Sequence, residues 1–293
     1  MNFQLFVSGL SLGAVYAFIA VGFAIVFSIM KFSNFAHGSM ISACAYIGYF
    51  FQAAFAKQPP FVLTVLFTVA MGMLMAVIVD FLGYRRLRKK KSPNLYYFLS
   101  SITFAIMIEQ ILNIYFGKQY YSYPFIFKDT TFYIGSIRFS TMDTMILATA
   151  VGLLTLLILL IEKTKIGLAI RAVAINPETS RLMGINSSVV ITTVFVLAGI
   201  LAGVAGVFLG MKYTVYPSLG PSMMIKGFVA SVIGGLGSLS GAIIAALLLG
   251  IIEMLITYFF GALWTPVFLF GIMLLFLFIK PEGISGKFAK DKV

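Results

Sequence analysis

Four ionisable side chains stand inside or beside long apolar runs: His37, Asp80, Glu109 and Glu253. Ion-coupled carriers and pumps string such groups through the bilayer as relays. One group per run is a sparse set for that chemistry. Thr103, Ile106 and Gln110 fall on or near the helical face of Glu109. That carboxyl therefore reads either as an interhelical hydrogen-bonding group or as part of a substrate path. Glu253, set among Ala, Leu, Gly and Ile, reads in the same two ways. His37 is the only histidine and has no carboxylate near it in sequence, so it makes no metal-ligand set. No Gly-x-x-x-x-Gly-Lys-[Ser/Thr] P-loop occurs, and Gly235-Leu236-Gly237 with Gly241 has the wrong spacing for a dinucleotide fingerprint. No catalytic residue, metal or cofactor is assigned.

Glycines are the more informative signal. The pairs Gly9/Gly13, Gly199/Gly203, Gly206/Gly210 and Gly237/Gly241 each put small residues one helical turn apart, a spacing that lets helix backbones approach closely. The block Asn34-Phe35-Ala36-His37-Gly38 separates two apolar runs. Either Asn34 caps the helix that follows, or the block is a break in a helix beside a path. The cluster from Gly234 to Gly241 divides residues 225–260, which are too many for one crossing and few for two.

The elements that must hold these residues follow from composition. Of 293 residues, 61% are hydrophobic and only 10% charged, and the mean hydropathy is +1.05. Soluble domains carry about 25% charged residues, so a soluble enzyme, a nucleic-acid-binding module and a disulfide scaffold are excluded. Cys44, the single cysteine, lies in apolar surroundings that favour an inert thiol. At roughly 20 apolar residues per crossing, the chain has room for about eight to ten transmembrane helices. We expect an all-α polytopic membrane protein, a single transmembrane domain over residues 1–293. Crossings are expected at about 4–30, 36–55, 61–83, 95–116, 142–161, 189–210, 241–260 and 263–279, with a re-entrant or broken helix near 225–241. The first run is too long for the apolar core of a signal peptide and reads as a permanent span.

The net charge of +12 collects at the ends of these runs. Fifteen of the 21 Lys and Arg fall at Lys31, in 84–94, in 162–188 and after 279. The positive-inside rule makes that side cytoplasmic, with the C-terminus, and puts the N-terminus on the other side. The Tyr- and Phe-rich segment 117–140, with β character at Phe132-Tyr133-Ile134, becomes an outside loop, and 212–226 joins it there. Every extramembrane segment is short, so any energy source other than an ion gradient must come from another polypeptide.

The cytoplasmic connection 162–188 has its own architecture. Asn176 and Pro177 start a short helix as cap and first residue, and Gly184 ends it. Leu182, Met183 and Ile185 are apolar in a segment facing cytosol, flanked by Arg171, Arg181 and Glu178. Such a helix is either a docking element for a partner or an amphipathic helix lying at the headgroups.

Five blocks, Phe6–Ala20, Asn34–Gly38, Arg171–Asn186, Phe195–Gly210 and Lys226–Gly241, together resemble the permease of branched-chain amino acid ABC importers, in order and in spacing. The shorter, LivH-type, of the two permease types fits better. The resemblance implies a multi-pass subunit of a bacterial or archaeal plasma membrane, surrounded by lipid and without nucleic acid. It implies a heterodimer with a second permease, two cytoplasmic ATPase subunits and an extracytoplasmic binding protein that delivers substrate. It further implies that 176–186 is the coupling helix, with Arg171, Asn176, Pro177, Glu178, Arg181, Leu182, Met183, Gly184 and Ile185 at the ATPase. Related permeases also serve urea, amides and other amino acids. The path is expected along the first two spans and 226–241, with Asn34, His37 and Ser231 contacting it and Gly234, Gly235 and Gly237 letting a helix end approach. The alternative is an ion-coupled secondary transporter or channel for a small polar solute, working without partners.

Overall fold

The computed structural model describes residues 3–55, 59–117, 119–123, 131–134 and 137–285. Lys57, Lys118, Lys128, Asp129 and the tail after 285, which entered the charge count above, lie outside the described residues.

A helix that is apolar all round must be buried in protein or lipid, and α1 (Phe3–Met30) is buried on every side from Ser11 to Val26. Its counterpart is α9 (Ser187–Lys212), buried all round from Leu201 to Gly210. The remaining helices wrap this pair: α2 (Ala36–Ala53), α3 (Phe61–Val79), α5 (Asn94–Phe116), α6 (Thr141–Lys163), α10 (Leu219–Gly234), α11 (Leu239–Phe260) and α12 (Thr265–Ile279). Among the described residues, seven helices are long and apolar enough to cross a membrane. The two left out of that count are α2, which carries His37, Ser39, Ser42 and Gln52, and the 16-residue α10. The expected all-α polytopic architecture is observed. A two-stranded antiparallel hairpin, β1 (Thr131–Ile134) with β2 (Ile137–Ser140), is appended to it where the sequence showed β character.

Neighbours pair up in the pattern of an inverted repeat. α1 lies against α10 and α11, α9 lies against α2 and α3, and α2 meets α10 between them. Glycine makes both interfaces possible. A Cβ at Gly9 or Gly13 would run into the α11 backbone at Ile251 and Leu247, and one at Gly199 or Gly203 into α3 at Gly72 and Val69.

Several boundaries differ from the sequence expectation. α3 does not stop at the charge run: one π-helical turn, Asp80–Tyr84, carries it into α4 (Arg85–Lys89). The connection 162–188 holds a second helix, α7 (Lys165–Ile175), which buries Ile170 and Val173, ahead of α8 (Pro177–Leu182). α10 starts six residues earlier than read, because Pro221 falls in its first turn, where a missing N–H costs nothing.

Neither α2 nor α10 spans the bundle. The His37 ring packs against Gly22, eight residues before α1 ends, so α2 begins about 12 Å inside that end at 1.5 Å per residue. At the start of α10, the Gly220 N–H donates to Ser42 Oγ at 2.7 Å. The chain dips into the bundle ahead of both helices. The 213–218 dip is strapped to the Tyr-rich segment by Tyr121 and Val215, which exchange backbone hydrogen bonds of 3.0 and 2.7 Å.

Candidate functional site

The described Lys- and Arg-rich segments meet at one end of the bundle, where α1, α3–α4, α6 and α12 finish and α5, α9 and α11 begin. At this basic end α8 is built as its sequence suggested. Asn176 Oδ1 accepts from the N–H groups of Glu178 and Thr179 at 2.9 and 3.0 Å, and Pro177 follows at the first helical position. Gly184 closes the turn at φ +83°. Ser180 faces inward, while Leu182 and Met183 are 87% and 80% exposed. Six residues hold no helix by propensity. The caps and the bond from Ser187 Oγ to the Pro177 carbonyl fix α8 rigidly to the start of α9. Glu178 accepts from Lys91 Nζ at 2.9 Å, and that ammonium holds its carboxyl below the usual carboxylate range. Ile175 is also exposed, whereas Ile185 packs against the core.

The centre of the bundle is more charged than the sequence led us to expect. Lys226, counted with the outer-side charges and at the start of the expected re-entrant helix, lies in α10, and its Nζ sits 2.5 Å from Glu253 Oε1 of α11 and 2.9 Å from Tyr16 Oη of α1. Tyr16 in turn donates to Glu253 Oε2 at 2.8 Å. Glu253 is thus resolved as a paired interhelical carboxylate. Toward the opposite end, Lys212 Nζ and Ser11 Oγ both contact Asp143 Oδ1, at 3.2 and 2.6 Å. These two clusters place Lys212 and Lys226, which the sequence put in the outer connection 212–226, in ion pairs with charges of other helices. Asp80, in the π turn, pairs with Arg88 and accepts from Thr192 Oγ1 at 2.7 Å, tying α3–α4 to α9.

The expected path residues do not come together as one open site. Asn34 does not cap α2, whose capping position is Phe35; its Oδ1 accepts from Tyr84 Oη at 2.8 Å. His37 and Ser231 are buried, and His37 Nδ1 and Nε2 and Ser231 Oγ have no hydrogen-bond partner among the described residues. Gly234 packs on Gly241, and Gly283 on Gly235, which ends α10 at φ +102°. Gly237 lines an open cavity of about 670 Å³, with Ser28, Glu162 and Arg171, at the basic end. Asp143, Lys212 and Tyr16 were missed because their partners lie on other helices.

Residues 5–278 match the family described as "Branched-chain amino acid transport system / permease component". The chain is 32% identical over 300 residues to the high-affinity branched-chain amino acid transport system permease protein LivH of Salmonella typhimurium, covering 98% of this chain and 96% of that protein. It is 31% identical over 307 residues to the corresponding permease protein BraD of Pseudomonas aeruginosa, covering 99% and 97%. The probable LivH of Methanocaldococcus jannaschii is 30% identical over 280 residues, covering 92% and 87%. Among solved structures, PsaBC from Streptococcus pneumoniae in complex with Fab shares the fold, with a TM-score of 0.50 at 14% identity over 96% of this chain and 93% of that one. Matched almost from end to end, and folded as a glycine-packed multi-pass bundle, the chain belongs to the branched-chain amino acid transport permease family.

Proposed function

We propose that this chain is one permease subunit of an ATP-driven importer for branched-chain or related amino acids. In this reading a second permease completes a heterodimer, two ATPase subunits dock on the basic end, and a binding protein delivers substrate to the opposite end. The basic end, with the C-terminus, faces the cytoplasm of a bacterial or archaeal cell, as the positive-inside rule requires. The observation that carries the reading is α8: a capped, rigid helix that holds Leu182 and Met183 out of the bundle where a partner could seat them. ATPase closure would push on α8, and Ser187 would pass the motion to α9, one of the two central helices.

The paired central charges favour this reading over an ion-coupled carrier. Lys226 with Glu253 and Lys212 with Asp143 are ion-paired, so these four charges do not stand as unpaired relay groups. Asn34, His37, Ser231, Gly234, Gly235 and Gly237 stay our candidates for the path. The unpartnered nitrogens of His37 support a state in which that region opens, because a buried polar group without a partner costs about 1–3 kcal/mol. The test is reconstitution in proteoliposomes with the cognate partners. Leucine, isoleucine or valine uptake should require both ATP and the binding protein. Uptake by this chain alone, following an ion gradient, would refute the proposal.

A further inference from the structure

Two cavities at the basic end share a wall. The larger, about 820 Å³, lies between the end of α1, α4, the start of α5 and α8. Six cations line it: Lys31, Arg85, Arg88, Lys89, Lys91 and Arg181. Two are spoken for, Arg88 by Asp80 and Lys91 by Glu178. Lys31, Arg85, Lys89 and Arg181 have no carboxylate partner among the described residues. Four uncompensated positive charges around one concavity make a strong local potential, and guanidinium with ammonium donors suits a phosphate ester. Part of the lining is different in kind, formed by Ile29, Met30 and Tyr97.

The smaller cavity, about 310 Å³, shares Arg85 and Ser188 with the larger one and continues along α9 past Val189, Thr192, Thr193 and Val196. From Ser188 to Val196 is eight residues, about 12 Å at 1.5 Å per residue. Its lining mixes the hydroxyls of Ser188, Thr192 and Thr193 with the apolar side chains of Val189 and Val196. A charged bowl continuous with a smaller slot that is lined in part by valines, at the level where helices leave the membrane, matches an amphiphile. A soluble anion would have no use for the slot.

We propose that this double cavity binds an anionic phospholipid, with its headgroup phosphate among Lys31, Arg85, Lys89 and Arg181 and one acyl chain along Val189 and Val196. Basic pockets between helices on the cytoplasmic side are suited to such headgroups. The site does not rest on the transport proposal, since lipid binding is read on the purified chain alone.

The test is native mass spectrometry of the full chain titrated with phosphatidylglycerol or phosphatidylcholine. Phosphatidylglycerol should be retained about tenfold more strongly, and Arg85→Gln with Lys89→Gln should abolish the preference. Arg86→Gln with Lys90→Gln removes the same charge from the same run without touching the cavity, and should leave the preference intact. Val196→Trp should fill the slot and weaken lipid retention. Inorganic phosphate, in competition, should displace little lipid. Equal loss in the two double variants would reduce the effect to diffuse attraction and overturn the proposal. Displacement by millimolar phosphate with no effect of Val196→Trp would assign the bowl to a soluble anion and overturn it too. If either cavity variant fails to fold, failure of the wild-type chain to prefer phosphatidylglycerol would overturn it as well.

Discussion

The ammonium of Lys226 lies 2.5 Å from a carboxylate oxygen of Glu253, and the hydroxyl of Tyr16 touches both residues, near the midpoint of the central helix. Lys226 belongs to the partly inserted α10 and Glu253 to the spanning α11, so the pair pins the one to the other, with Glu253 buried and Lys226 partly exposed. Each charge is tolerable there because of its partner.

Breaking the pair from one side should therefore cost more than removing it. Lys226→Met leaves Glu253 buried and alone and should destabilise the fold by about 3 kcal/mol. Adding Glu253→Gln should restore most of the loss. Thermal melts of the purified variants check this. A double variant as weak as the single one would show that the pair is not a mutually compensating unit.

Gly13 and Gly152 offer a contrast in packing. A side chain at Gly13 meets the α11 backbone, while nothing lies within 4 Å of a Cβ at Gly152. Gly13→Ala should lose about 1–3 kcal/mol by overpacking. Gly152→Ala should be neutral or slightly stabilising, since alanine is the better helix former. Melting temperatures that move together would remove close approach as the reason for the glycine at position 13.

Leu182→Asp with Met183→Asp should leave insertion and folding unchanged, because both side chains are exposed and hold nothing together. In the assembled transporter the same variant should uncouple ATP hydrolysis from uptake. Asn176→Ala should give a weaker version of that defect by removing the cap, worth about 1 kcal/mol. Normal uptake in the double aspartate variant would sink the coupling role of α8.

Glu178 gives α8 a pH dependence. Its carboxyl sits below the usual range because Lys91 donates to it. A folded-state value below the unfolded one means that the contact contributes at neutral pH and is lost as pH falls through the lowered value. Lys91→Met should return Glu178 to an ordinary titration, read by proton exchange or NMR of a labelled glutamate. An identical titration in wild type and variant would disprove the contact.

Gly235→Leu does not isolate the path. Gly235 sits at φ +102°, a conformation that a residue with a side chain rarely adopts, so a leucine there strains the backbone where Gly283 packs on it. Assembly should fail before transport can be measured, and expression with size-exclusion profiles will show which comes first.

Much of the molecule was legible in the chain itself. Apolar runs announce crossings because a bilayer demands about 20 apolar residues in succession, and cap chemistry is local, so Asn176, Pro177 and Gly184 set the bounds of α8 from sequence. The glycine pairs announced close packing for the same local reason. Partners across helices were not legible. Lys226 and Glu253 are 27 residues apart, and Lys212 and Asp143 are 69 apart. A lysine at the edge of an apolar run looks the same whether it meets water or a carboxylate. The inward starts of α2 and α10, the burial of His37 and the paired cavities at the basic end were likewise decided by tertiary packing. Periodicity tells a side chain which environment it needs, and only the assembled bundle determines which neighbour supplies it.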